Sequence, residues 1–172
     1  MTKKVCALVI VLMAAAPAPA AEPSWQPVLT GLLKGEKSAR LGGVVVRHDT
    51  GCVFVNLGER GIYCSGAGAT KFAPLKDQKS DGPHGRFVRA LKERKDAKHG
   101  RVSGKDARHV FELTRVGIVE STDGGATWSA PIALPKGVKG AEGRTWIEYD
   151  PKNDILYVMN TGGDLYKLAR TR

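Results

Sequence analysis

Nine residues, "STDGGATWS" from Ser121 to Ser129, set a hydroxyl, a carboxylate, a glycine pair, a second hydroxyl and an indole in quick succession. Such a run can serve a catalytic loop or a turn. The turn needs nothing further. Asp123 can accept hydrogen bonds from N–H groups of its own reversal, and Ser121 can do so more weakly. Gly124 and Gly125 offer the positive φ that a reversal requires. Trp128 is expected to bury its ring against a hairpin while its indole N–H finds an acceptor. The turn is the preferred reading, because each side chain already has structural work.

The remaining reactive side chains are scattered. Glycoside hydrolysis needs two carboxyl groups about 5–10 Å apart. Glu112, Glu120, Glu148 and Asp150 alternate along strand-like runs, a pattern expected of solvated sheet faces. His84, His99 and His109 fall in polar stretches and are read as bland. Neither a P-loop, an HExxH pattern nor a Ser-His-Asp arrangement occurs. No Cys/His spacing fits zinc, so no metal or cofactor is expected.

The elements that carry these residues recur. "VFELTRVGIVES", ending at Ser121, aligns with "FVNLGERGIYCS", ending at Ser65, through Leu57 and Leu113, Gly61 and Gly117, and Ile62 and Ile118. After Ser65, "SGAGATKF" reads as a decayed copy of "STDGGATW", with Ala67 in place of Asp123. Ser65, Gly68 and Phe72 keep the degenerate pattern. A third unit, "TWIEYDPKNDILYVMNTGGDLYKL", repeats the strand, Asp-bearing turn and strand, and the sequence ends where a fourth strand is due. "SWQPVL", from Ser24, resembles "TWSAPI", so the strand 24–29 is expected to close that last unit or to swap into a partner. The units run over about 24–75, 76–132 and 133–172. Runs such as "GGVVVRHD", "CVFVNL", "GIVES" and "ILYVMN" have the β-branched and aromatic content of strands bounded by turn residues. "RFVRALKERKD" fits an outer strand or a short helix.

Residues 1–20 read as a signal peptide. Lys3 and Lys4 precede an apolar run, and Ala18 and Ala20 stand at the two small positions of a cleavage site. The run is too short for a membrane anchor, which takes about 18 or more apolar residues. The remaining 21–172 form one domain, exported to the periplasm or beyond. Its formal charge falls from +10 to +8 with the loss of the two lysines. Two cysteines stay, Cys52 and Cys64, and in an oxidising compartment they can pair. A tight hairpin, however, sets Cys64 opposite Val55 or Phe54, so a bridge needs a bulge or register shift.

Most of the charge sits in one segment. Arg86 to Arg108 holds nine Lys/Arg against three Asp/Glu. It is read as a solvated, mobile insertion or as an anion-binding patch built from Arg86, Arg89, Lys92, Arg94, Lys95, Lys98 and Arg101. An acidic polysaccharide, a surface ligand or a protein partner would suit it. Nucleic acid is not expected for an exported chain.

Ser121, Asp123, Gly125, Thr127 and Trp128 match every specified position of Ser-x-Asp-x-Gly-x-Thr-Trp, and the stretch resembles the Asp-box of sialidase-type BNR repeats. That resemblance implies a β-propeller with a box between the third and fourth strand of a blade, on the rim rather than at an active centre. The fold expected is therefore all-β and propeller-like, with about three four-stranded antiparallel blades. Three blades are fewer than the usual 4 to 8. The chain would then be a partial propeller, or half of a ring formed by a homodimer. A sialidase would also imply three carboxylate-binding arginines, a Tyr–Glu pair and an acidic proton donor. Arg40, Arg47, Arg60 and Arg144 have no spacing that assigns them to that triad. The function expected is binding or scaffolding without catalysis; the alternative is a sialidase-like glycoside hydrolase, truncated or degenerate.

Overall fold

The computed structural model describes residues 24–34, 41–79, 81–93, 100–141, 144–160 and 163–170, with backbone alone at 92 and 93. Segment 1–20, read from the sequence as a signal peptide, lies outside them, as do Arg40, Arg94, Lys95, Lys98 and His99. The described chain is mostly β and folds into three small antiparallel sheets, none closed on itself.

Sheet I is a meander of β2 (Gly43–Arg47), β3 (Cys52–Asn56), β4 (Ile62–Ala67) and β5 (Phe72–Pro74). Sheet II holds β6 (Arg101–Ser103), β7 (Val110–Leu113) and β8 (Ile118–Ser121). A single bridge from Ile118 to Ile132 stands where a fourth strand would run. Sheet III orders β9 (Thr145–Asp150), β10 (Ile155–Asn160) and β11 (Leu165–Ala169). Its outer strand comes from the other end of the chain: β1 (Gln26–Pro27) pairs antiparallel with β11, Gln26 opposite Lys167. A short helix, α1 (Thr30–Leu33), follows β1, and α2 (Gly85–Glu93) lies between sheets I and II in sequence.

Sheet III is the middle layer. One of its faces, with Trp146, Tyr157, Met159 and Leu165, packs on Val44, Val46, Val53 and Val55 of sheet I. The other, with Ile147, Tyr149, Leu156 and Val158, packs on Phe111, Leu113 and Ile118 of sheet II. Covering both faces explains why "ILYVM" is apolar without a break. Alternation appears only where one face meets water.

The second face of sheet I is covered by α2. Phe87, Val88 and Leu91 seat on Phe54, Ile62 and Leu75, with Phe54 and Phe87 stacked at 5.0 Å between ring centroids. The spacing of 87, 88 and 91 sets these side chains on one stripe of a helix. The first part of the basic insertion is thus a packed amphipathic helix and not a solvated loop.

Burial in the middle layer also corrects the reading of two acids. Glu148 and Asp150 are 7% and 0% exposed, on the face turned to sheet I. Asp150 is held by its own turn, accepting from Lys152 N at 3.0 Å, Asn153 N at 3.2 Å and Asn153 Nδ2 at 2.6 Å. Gly51, at φ +73°, presses on that turn; a Cβ there would collide with Asp150 and Asn153. Tyr157 lies directly opposite Glu148. Burial, and then the Asp150 carboxylate, push the Tyr157 phenol well above its ordinary pKa. Tyr157 is fully buried, so this Tyr and Glu face each other inside the core.

Candidate functional site

The Ser121–Ser129 reversal follows β8 and leads to the bridge at Ile132. Its hydrogen bonds turn inward. Ser121 Oγ accepts from Gly125 N at 2.8 Å and donates to Asp123 Oδ1 at 2.7 Å. Asp123 Oδ1 also accepts from Thr127 N at 2.9 Å, and Oδ2 accepts from Thr127 Oγ1 at 2.6 Å. Gly124 and Gly125 have φ of +81° and +100°, a region open to glycine at little cost. The three side chains Ser121, Asp123 and Thr127 therefore bind one another and the loop backbone.

The hydrogen bonds to Thr127 and Ser121 hold the Asp123 carboxyl far below the usual carboxylate range. A depressed folded-state pKa stabilises the fold fully above the unfolded value, about 3.9. That contribution drains away as the pH falls below it. Asp123→Ala should lower the thermal midpoint at pH 7 by about 2–6 °C. The gap between the two proteins should narrow steadily when the melts are repeated from about pH 4 down to pH 2.

Trp128 departs from the sequence reading, being 39% exposed. Its ring lies over Gly125, where a Cβ would meet Trp128 Cζ2 at 3.2 Å. Arg101 sits 5.9 Å above the ring centroid and donates to Gly124 O at 3.5 Å. A guanidinium over an indole is a favourable pairing, so Arg101 braces the box from β6. It is not part of the α2 surface. The degenerate copy behaves otherwise: Ser65 is buried and donates to Gly66 O at 3.1 Å, Gly68 has φ +76°, and Phe72 is buried.

Arg86 and Arg89 are exposed on α2, and Lys92 belongs to the same helix. The Arg86 guanidinium lies over the Phe87 ring, 4.5 Å from its centroid. Cys52 and Cys64 are free thiols on the face of sheet I beneath α2. Cys64 pairs with Phe54, and the bulge after Cys52 sets that residue against Ala67. The bridge considered from sequence is thus not made, and burial pushes the Cys64 thiol up.

Sequence reasoning missed one polar cluster. His109 is 5% exposed, with Phe111 and Tyr149 rings at 4.8 and 5.6 Å. Its Nδ1 accepts from Lys105 N at 3.1 Å, which assigns the proton to Nε2. That nitrogen donates to Glu120 Oε1 at 2.6 Å. Arg170 binds Glu120 Oε2 at 2.6 Å, lies 3.9 Å from Asp154 and covers the Phe111 ring at 5.0 Å. Tyr149 OH donates to Asp154 at 2.8 Å. The cluster joins β8 of sheet II to the end of β11 in sheet III. Of the acids read as solvated, only Glu112 stands in the open, 3.9 Å from Arg101.

Two of the arginines considered for a carboxylate clamp, Arg47 and Arg60, are held by separate partners. Arg47 is bidentate to Asp49 at 2.7 and 2.8 Å, while Arg60 reaches Leu32 O at 2.6 Å and Tyr63 OH at 3.3 Å. Among the described residues no group of three His, Cys, Asp or Glu could hold a metal ion, and no helix is long and apolar enough to cross a membrane. Compared with models of protein families, with curated proteins and with solved structures, the chain matches none of them.

Proposed function

We propose that the chain is an exported, Asp-box, propeller-type protein that binds or scaffolds rather than catalyses. Each antiparallel sheet then counts as one blade, and sheet III takes its outer strand β1 from the start of the chain. The position of the box agrees with that assignment, since it lies between β8 and the strand-like contact at Ile132. In a closed ring each blade is covered by the next. Here α2 covers the free face of sheet I, so the reading is a partial propeller capped by a helix.

One observation carries the binding function: α2 commits its apolar stripe to the core and turns Arg86 and Arg89 outward. The whole segment from Arg86 to Arg108, helix included, carries an excess of six positive charges. Such a surface suits an acidic polysaccharide or another anionic surface, through attraction that salt screens within about 10 Å at 0.1 M. Charge reversal at Arg86, Arg89, Arg94, Lys95 and Lys98 should move elution from heparin to markedly lower salt. Elution at unchanged salt, with an unaltered melting curve, would refute the assignment of binding to this segment.

A further inference from the structure

The geometry points to a second binding site, for a hydroxyl-rich sugar ring bearing a carboxylate, in the groove where β1 meets residues 133–136. This goes beyond the polyanion surface of α2 and lies on other elements. The groove is open to solvent, offers about 580 Å³, and is lined by Ser24, Trp25, Ala133, Leu134, Pro135, Lys136 and Tyr166.

Its floor is aromatic and fixed. The Trp25 indole N–H donates to Ala133 O at 2.7 Å, which sets the orientation of the ring. Part of Trp25 packs on the core between sheets II and III, and the rest is left to the groove. Tyr166 is placed beside it because β11 pairs Tyr166 with Pro27 of β1. A platform that is already ordered loses little entropy when a ligand settles on it.

The polar groups at the groove select the ligand. Ser24 and Tyr166 bring hydroxyls, which both donate and accept, as sugar hydroxyls do. Among the described residues that line the groove, Lys136 supplies the only formal charge. A carboxylate is therefore favoured over an ammonium or a neutral substituent. An apolar floor with a few convergent polar groups is the usual make-up of a small-molecule site. A proline-rich peptide would also find aromatic walls here, but it leaves the lysine without a counter-charge.

The test is calorimetric titration of the purified protein with galacturonate oligomers of four to six sugars, at about 0.15 M salt, where long-range attraction is screened. Saturable binding is expected. Lys136→Gln should weaken it by about tenfold, the loss of one charge-assisted hydrogen bond. Tyr166→Phe should weaken it by a few-fold, and methyl-esterified oligomers should bind no better to the unaltered protein than the acids bind to Lys136→Gln. The Arg86→Glu, Arg89→Glu double variant should bind as the unaltered protein does. Absence of saturable heat overturns the site, as does equal binding by Lys136→Gln. Loss of binding in the double variant would transfer the affinity to α2. Binding of a proline-rich peptide with none of the oligomers would equally overturn it. The heparin experiment judges the α2 surface separately, so either reading can fail alone.

Discussion

Glu120→Gln should destabilise the protein by about 2–4 kcal/mol, the cost of breaking a charge pair that is mostly out of water. Glu120 holds two partners at once, His109 through Oε1 and Arg170 through Oε2, each at 2.6 Å. Side-chain exposure is 19% for Glu120 and 20% for Arg170, so water can reach neither group freely. The amide keeps the shape and can still accept one hydrogen bond. It cannot neutralise the guanidinium, which then stays beside Phe111 with Asp154 as its nearest acid at 3.9 Å. Because the cluster ties sheet II to sheet III, the loss should appear as an earlier midpoint of one cooperative transition. Urea melts followed by fluorescence check it. A change under about 0.5 kcal/mol, typical of an exposed pair, would mean that the pair is solvated in solution.

Phe87→Ala should cost about 3 kcal/mol and, beyond that, detach α2. The helix has nine residues, and isolated helices shorter than about 12–15 residues are marginal in water. It persists because Phe87, Val88 and Leu91 cover Phe54, Ile62 and Leu75. Without the ring stacked on Phe54, the Cys52 and Cys64 thiols below should react faster with a thiol reagent. Amide exchange should accelerate at Phe87 and Val88, whose N–H groups bond His84 O at 2.9 and 3.0 Å. Sheet III amides should slow exchange as before. Uniform loss of protection throughout the chain would show instead that helix and sheets unfold as one unit.

The strands were the most legible part of the sequence, for a local reason. The β-branched runs of "GGVVVRHD" and "CVFVNL" mark strands, and the two-residue period of a strand sorts their side chains between the faces of β2 and β3. Which face meets water is a tertiary matter. Glu148 and Asp150 alternate as a solvated edge would, yet sheet III lies between two others and both acids are buried. For α2, the sequence left strand and helix open. The choice rests on a bare sheet face that only a folded sheet I provides.

The box was legible because its partners are its neighbours. Ser121, Asp123, Gly125 and Thr127 bond within seven residues. The exposure of Trp128 was not, since it depends on how sheet II is covered. His109 was missed for a related reason: Glu120 lies eleven residues away and Arg170 another fifty. Neither spacing follows a helix or hairpin period, so no local pattern could have joined them. The groove at Trp25 brings together chain segments more than 100 residues apart.

The Ser121–Ser129 reversal holds its own turn, and on the proposed reading heparin-like polyanions are met on α2 and not on Asp123. Heparin elution of the folded Asp123→Ala protein tests it most directly. The substitution removes a negative charge, so the account predicts elution at the same salt as the unaltered chain or slightly higher. Elution at clearly lower salt, from a protein whose melt shows it still folded, would contradict the account and make Asp123 a binding residue.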